Sequence, residues 1–406
     1  MTEDPRLDPV QAERVLAEIH EGEVLGFLRA LVRIPTVNPP GDVREAAEFC
    51  RQLLAREGFE TEFETVEATK PNLIAWLRAG DGPTVLFNSH LDVVPIGEEA
   101  SWTHPPFAGE IVNGRVYGRG ANDDKASVTA QVLGAIALKR SGVQLRGTLI
   151  VNEVADEEVG GRLGAALIAE RADIRPDAVI VGEPTRNRIC VGERGGVGIR
   201  VVVFGRTAHG ALPWEGVNAI EGMARVISAL ERDLWPRLTR KTHPYFAHAS
   251  ATISLIEGGV KTNVVPDRCS IFIDRRLIPG ETPEEAIAEV REVAEQAVAV
   301  VPGLRVEVGP AHEWGGRPAV MSPPDSLVVQ AMREVNRFLG LESDLTGFSM
   351  GTDGRFFAAK GYPTIIYGPG DPSLAHKPDE WVGIDEVMAA TRAYALAALL
   401  LLGATS

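Results

Sequence analysis

Cysteine is scarce in this 406-residue chain. Cys50, Cys190 and Cys269 stand far apart, and no two form a Cys-x-x-Cys pair. That argues against a disulfide framework or a thiolate zinc knuckle and predicts a reducing, cytoplasmic setting. Basic residues are also in short supply. Lys and Arg number 41 against 56 Asp and Glu, a formal net charge of −15. Nucleic acid and anionic membrane surfaces need clustered cations, so neither is an expected partner. The opening MTEDPRLDPV is acidic and lacks the basic and apolar regions of a secretory signal, so export is not expected. The longest apolar run, AYALAALLLLGA near the C-terminus, is too short to span a bilayer and reads as a buried helix.

What is present is an ordinary globular balance, 45% hydrophobic and 24% charged, in a chain too long for one core. Residues 44–59 form an amphipathic helix with Ala47, Cys50, Leu53 and Leu54 on one face. Apolar strands follow at 72–77, 84–89, 147–153 and 177–183, with helices near 124–140 and 162–170 between them. Strands that are apolar throughout and alternate with helices predict an α/β sheet covered on both faces. The pattern changes at Gly195-Gly196. From there to about residue 312 the order is βαββαβ, a split-βαβ, ferredoxin-like unit that closes its own small core. Its second helix opens on a capping box, Thr282-Pro283-x-Glu285. After it the α/β alternation returns, with helices near 325–338 and 385–402 and a strand at 362–368. The reading is a catalytic domain, 1–193 and 313–406, with a mixed sheet, and an inserted α+β domain, 194–312.

Ligands of open α/β sheets collect beyond the carboxyl ends of the strands. Polar clusters stand at such ends here: His90-Leu91-Asp92, Glu157-Glu158, Glu183-Pro184-Thr185, and GPGDPSLAHKPDEW with His376. A further cluster, Asp123-Asp124, precedes a helix. Singly, each has an ordinary reading. A lone His is more often a hydrogen-bonded surface residue, and paired acids more often a solvated loop or a helix N-terminus. Together they make an imidazole and carboxylate set without thiolate, which suits Zn²⁺ and also Mn²⁺ or Co²⁺. Five ligands are too many for one open catalytic ion and suit two ions sharing a carboxylate and a water. Two residues along a strand return to one face, so Asp92 is placed to hydrogen-bond the second ring nitrogen of His90.

Eight stretches, in order, resemble the M20 metallopeptidase family: SHLDVVP, GRGANDDK, DEEVGG, GEPT, GRTAHGALPWEGVNAI, TNVVPD, DRRLIPG and GPGDPSLAHKPDEW. That group includes acetylornithine deacetylases, succinyl-diaminopimelate desuccinylases, aminoacylases and glutamate-releasing carboxypeptidases. The resemblance implies two divalent ions, zinc first, with cobalt or manganese as alternatives. It implies His90 and Glu183 on one ion, Glu158 and His376 on the other, and Asp123 on both. It makes Glu157 the general base, Asp92 the support of His90, and His209 the holder of the carbonyl oxygen. Asn263, Arg276, Gly368 and Gly370 would contact substrate, Arg276 through a carboxylate. The inserted domain would be the lid and the homodimer interface. The chain departs from the family pattern at Ala126, where Gly is usual, and at Asp124, where Met is frequent.

The implied activity is hydrolysis of the amide of a small N-acyl amino acid with a free carboxylate, of the acetylornithine deacetylase and desuccinylase type. A dipeptidase or carboxypeptidase, or an N-carbamoyl amino acid amidohydrolase, would use the same site. A non-catalytic sensor of a metal or an amino-acid derivative should have lost a ligand or the base, and all six are present.

Overall fold

The computed structural model describes residues 5–312 and 315–403. The chain forms two compact units. One holds the residues up to Gly192, with 321–348 and those from Thr352 onward; the other holds Glu193–Val320 and Ser349–Gly351. The second unit thus begins at the change of pattern but continues past residue 312. Its last stretch is tied back by Gly196 and Arg317, whose main chains exchange hydrogen bonds of 3.0 and 2.9 Å. The expected return point, residue 313, lies outside the described residues.

The first unit is built on a mixed sheet. Across it run Glu60–Glu64, Asn72–Arg78, Thr148–Val154, Thr84–His90, Ala178–Val181, Thr364–Ile366 and Ile189–Glu193. The four strands from Thr148–Val154 to Thr364–Ile366 are mutually parallel, and the flanking pairs are antiparallel. The parallel strands are buried almost throughout, as apolar runs without alternation require. Helix Lys125–Arg140 is buried from Lys125 to Leu138. It packs on Thr84–His90 and against Ile384–Leu402, the helix made by the C-terminal apolar run. Among the described residues, no helix is long and apolar enough to cross a membrane. All three cysteines are free and buried.

The second unit is a four-stranded antiparallel sheet in the order Ser250–Gly258, Arg268–Leu277, Gly195–Phe204, Arg305–Pro310. Helices Ala219–Ala229 and Pro283–Ala299 pack on it, giving the βαββαβ arrangement. Val197, Ile199, Val201 and Val203 alternate inward along the central strand to meet Met223, Val226, Val290 and Ala294. The capping box at Thr282 and Glu285 is formed. The first helix opens at Ala219. Asn218 caps it by accepting the N–H groups of Ile220 and Glu221, so 215–217 stay outside. A short antiparallel pair, Ala208–His209 with Val264–Val265, completes the unit.

Candidate metal centre and active site

Four parallel strands ending on one edge explain why residues far apart in the chain converge. His90 closes Thr84–His90. Glu157 and Glu158 form a single helical turn just beyond Thr148–Val154. Glu183 follows Ala178–Val181, and His376 lies in the loop beyond Thr364–Ile366. Asp123 comes from the turn that enters helix Lys125–Arg140.

The carboxylate of Asp123 lies between the two imidazoles. One oxygen is 3.1 Å from His90 Nε2 and the other 3.5 Å from His376 Nε2. His376 Nε2 is also 3.2 Å from Glu158 Oε2. Donor atoms of His90, Asp123 and Glu158 all lie within 4.8 Å of one another. Glu183 is buried, and burial together with the charges of Asp123 and Glu157 raises its carboxyl well above the usual range. Asp124 is fully buried.

Asp92 acts differently from the expectation. The Nδ1 of His90 meets the main-chain carbonyl of Asp92 at 2.9 Å, whereas the Asp92 carboxylate is 3.7 Å away, beyond hydrogen-bond reach. The strand ends at His90, so Asp92 has left the pleat that would have kept the two side chains on one face. Its fully buried carboxylate instead accepts from Asn38 Nδ2 at 2.8 Å and from the N–H groups of Glu157 and Glu158 at 3.2 and 3.3 Å. It therefore fixes the turn carrying the expected base and one expected ligand.

That turn has two more anchors. Asp156, at φ 75°, accepts from Lys70 Nζ at 2.7 Å and from Leu163 N at 3.1 Å, closing the loop behind Glu157. Arg355 donates to the carbonyl of Gly160 at 2.9 Å and stands 4.0 Å from Glu157. Asn38, Lys70 and Arg355 went unread in the sequence, because no local pattern links them to the strand ends.

The electrostatics of the cluster test whether cations belong in it. Asp123 and Glu158 face the imidazoles, Glu157 stands near Arg355, and the charges of Asp123 and Glu157 act on buried Glu183. Burial pushes the Glu158 carboxyl up to about 7, and burial followed by neighbouring acids raises Glu157. Hydrogen bonds to Asp123 and Glu158 lift His376 to about 10. Divalent cations would displace the protons that such crowded acids and imidazoles hold and neutralise the cluster, and the imidazole and carboxylate donors suit them. The residues fit such ions.

Gly368 and Gly370 are buried. A Cβ on Gly368 would come 2.6 Å from the Glu183 carbonyl, and one on Gly370, at φ +96°, would come 2.3 Å from Asn122 Oδ1. Close packing beneath the loops of Glu183 and Asp123 requires glycine at both places. In the second unit, His209 and Asn263 are brought together by this strand pair, where Gly210 N–H donates to the Asn263 carbonyl at 2.8 Å. Of the adjacent pair, Arg275 is fully buried on Glu281, while Arg276 is about 39% exposed and 2.9 Å from Asp274. Arg276 is the residue available to a ligand.

The profile of peptidase family M20/M25/M40 matches residues 86–400. A succinyl-diaminopimelate desuccinylase of Methylobacterium radiotolerans is 31% identical over 384 residues, covering 91% of this chain and 94% of that protein. The N-formyl-4-amino-5-aminomethyl-2-methylpyrimidine deformylase of Halalkalibacterium halodurans is 29% identical, covering 94% and 95%. Among solved structures, a tripeptidase from Staphylococcus aureus superposes with a TM-score of 0.76 at 21% identity, covering 94% of this chain and 99% of that one. A dinuclear metal binding peptidase from Bacillus subtilis superposes at 0.68 and 19% identity, covering 94% and 98%.

Proposed function

Because this chain belongs to peptidase family M20/M25/M40 and is a hydrolase of amide or peptide bonds, we propose that it is a two-metal deacylase. Its substrate would be a small N-acyl amino acid, or a related amide bearing a free carboxylate. The observation that carries this is the Asp123 carboxylate set between His90 and His376, with Glu158 on the second imidazole. His90 and Glu183 would hold one ion, Glu158 and His376 the other, and Asp123 both, with zinc first and cobalt or manganese as alternatives. Such ions lower the pKa of a shared water towards about 7 and polarise the amide carbonyl.

The protein's own groups do the rest. Glu157, fixed by Asp92 through its main chain, takes the proton from water and returns it to the leaving amine. A tetrahedral oxyanion needs a donor, and His209 supplies it. Ala211 N–H donates to His209 Nδ1 at 3.1 Å, which leaves the proton on Nε2 facing outward. Arg276 pairs with the substrate carboxylate, and Asn263 stands beside His209 to contact substrate.

The inserted unit is the homodimer interface in this reading. Ser250–Gly258 is an open sheet edge carrying Leu255 and Ile256 at 63% and 59% exposure. An apolar open edge of this kind suits pairing with a second copy. The desuccinylase and deformylase relatives support a deacylase and leave several acyl groups in play. The peptidase folds among the structural neighbours make a dipeptidase or carboxypeptidase the alternative, with an N-carbamoyl amidase behind it. Three free buried cysteines suit a cytoplasmic location.

The test is hydrolysis by metal-reconstituted enzyme of N-acetyl, N-succinyl, N-formyl and N-carbamoyl amino acids and dipeptides. Glu157→Ala is run beside the wild type with its bound metal measured. Two ions per chain, one cleaved class and a rate roughly 10²–10⁴-fold lower in the variant are expected. A variant as fast as the wild type removes Glu157 as the base. Cleavage of dipeptides alone moves the enzyme to the peptidases.

A further inference from the structure

Glu380 ends the segment that carries His376. It is about 1% exposed, yet its carboxylate is saturated. One oxygen accepts the N–H groups of Gly120, Asn122 and Asp123, each at 3.0 Å. The other pairs with the guanidinium of Arg119, itself about 1% exposed. The main chains join as well: Gly118 N–H donates to the Glu380 carbonyl at 2.8 Å, and Arg119 reaches the Lys377 carbonyl at 3.4 Å. Next door, Asp379 accepts the N–H groups of Thr103 and His104 at 2.7 and 3.1 Å.

Residues 119–123 have no ladder partner for these amides, so three nearby N–H groups converge on a single anion. A neutral side chain there would leave buried donors unpaired. With both oxygens engaged, Glu380 has none to offer an ion. Its contacts fix the backbone of Asp123, while its own backbone continues, four residues back, to His376. The two imidazole-facing oxygens of Asp123 therefore owe their place to this carboxylate.

We propose that Glu380 is a positioning residue, which holds Asp123 in register with His376 and so sets the affinity of the metal centre. The metal half of this rests on the two-ion reading above; the backbone half does not. The experiment combines amide hydrogen exchange over residues 118–124 with zinc titration of the apo-protein, for wild type, Glu380→Ala and Glu380→Gln. In Glu380→Ala, exchange at Gly120, Asn122 and Asp123 should rise by about 100-fold, roughly what loss of a charge-assisted bond gives. Zinc affinity should fall by about 10–100-fold, as for other groups that orient ligands. Glu380→Gln keeps an acceptor for the amides but turns an NH₂ towards Arg119, so both effects should be smaller.

If Glu380→Ala does not fold, the Gln variant decides alone. Wild-type protection together with wild-type affinity in a folded variant overturns the proposal. Faster exchange with unchanged affinity overturns its link to the metal centre. A wild type that binds no zinc removes the two-ion reading, and the exchange measurement still decides whether Glu380 holds the loop.

Discussion

Replacing Asp92 by Asn separates two accounts of the same residue. The side chain keeps its shape and one oxygen. In the wild type the buried carboxylate receives three donors, Asn38 Nδ2 and the N–H groups of Glu157 and Glu158, divided between its two oxygens. Whichever way the new amide turns, its NH₂ meets at least one of them. One charge-assisted bond is lost, at about 1.5–3 kcal/mol, and the survivors become neutral and about half as strong. The sum is roughly 3–5 kcal/mol, a large share of a typical domain's stability. Denaturant unfolding of the apo-protein measures it.

The ring of His90 should hardly notice. Its Nδ1 faces the main-chain carbonyl of residue 92, which Asn keeps. Nitrogen-15 spectra should therefore show the same His90 tautomer in Asp92→Asn as in wild type. Activity should fall with the displaced Glu157 turn, by about 10–100-fold. A changed tautomer with stability within about 0.5 kcal/mol of wild type would refute this reasoning and restore a direct carboxylate–imidazole contact.

Two further perturbations address the second unit. Ile256→Arg puts an unpaired charge on the open edge Ser250–Gly258. If that edge is the dimer interface, the penalty of about 3–5 kcal/mol weakens dimerisation by more than 100-fold, read by light scattering against concentration. A wild type that is monomeric and fully active removes the dimer. Acid should loosen the same unit at Glu281. Burial opposes its charge, but hydrogen bonds from Lys241, Ile278 and Arg275 hold its carboxyl below the usual range. A lowered folded-state value means its contribution is complete above about pH 4.3 and is lost as the pH falls through that lower value. Stability curves of wild type and Glu281→Gln should thus converge in strong acid; a constant gap would contradict the pairing.

Much of this protein is legible in its residues. Apolar strands without alternation predicted an α/β sheet covered on both faces, and the change of period at Gly195-Gly196 predicted a separate βαββαβ unit. His, Asp and Glu at the strand ends, with no thiolate near, predicted the donor chemistry, because side-chain type and strand direction are local properties. The convergence of those ends within a few ångströms needed the sheet order, which no single segment encodes.

Tertiary structure also decided the partners. Asp92 turned from the ring of His90 to the Glu157 turn because the strand stopped two residues earlier. Arg275 and Arg276 are chemically alike and adjacent, and only packing buried one and left the other open. Asn38, Lys70, Arg355 and Glu380 are silent in the sequence for one shared reason. Each meets its target across the fold, where a buried charge or amide is tolerated only once its partners are assembled around it.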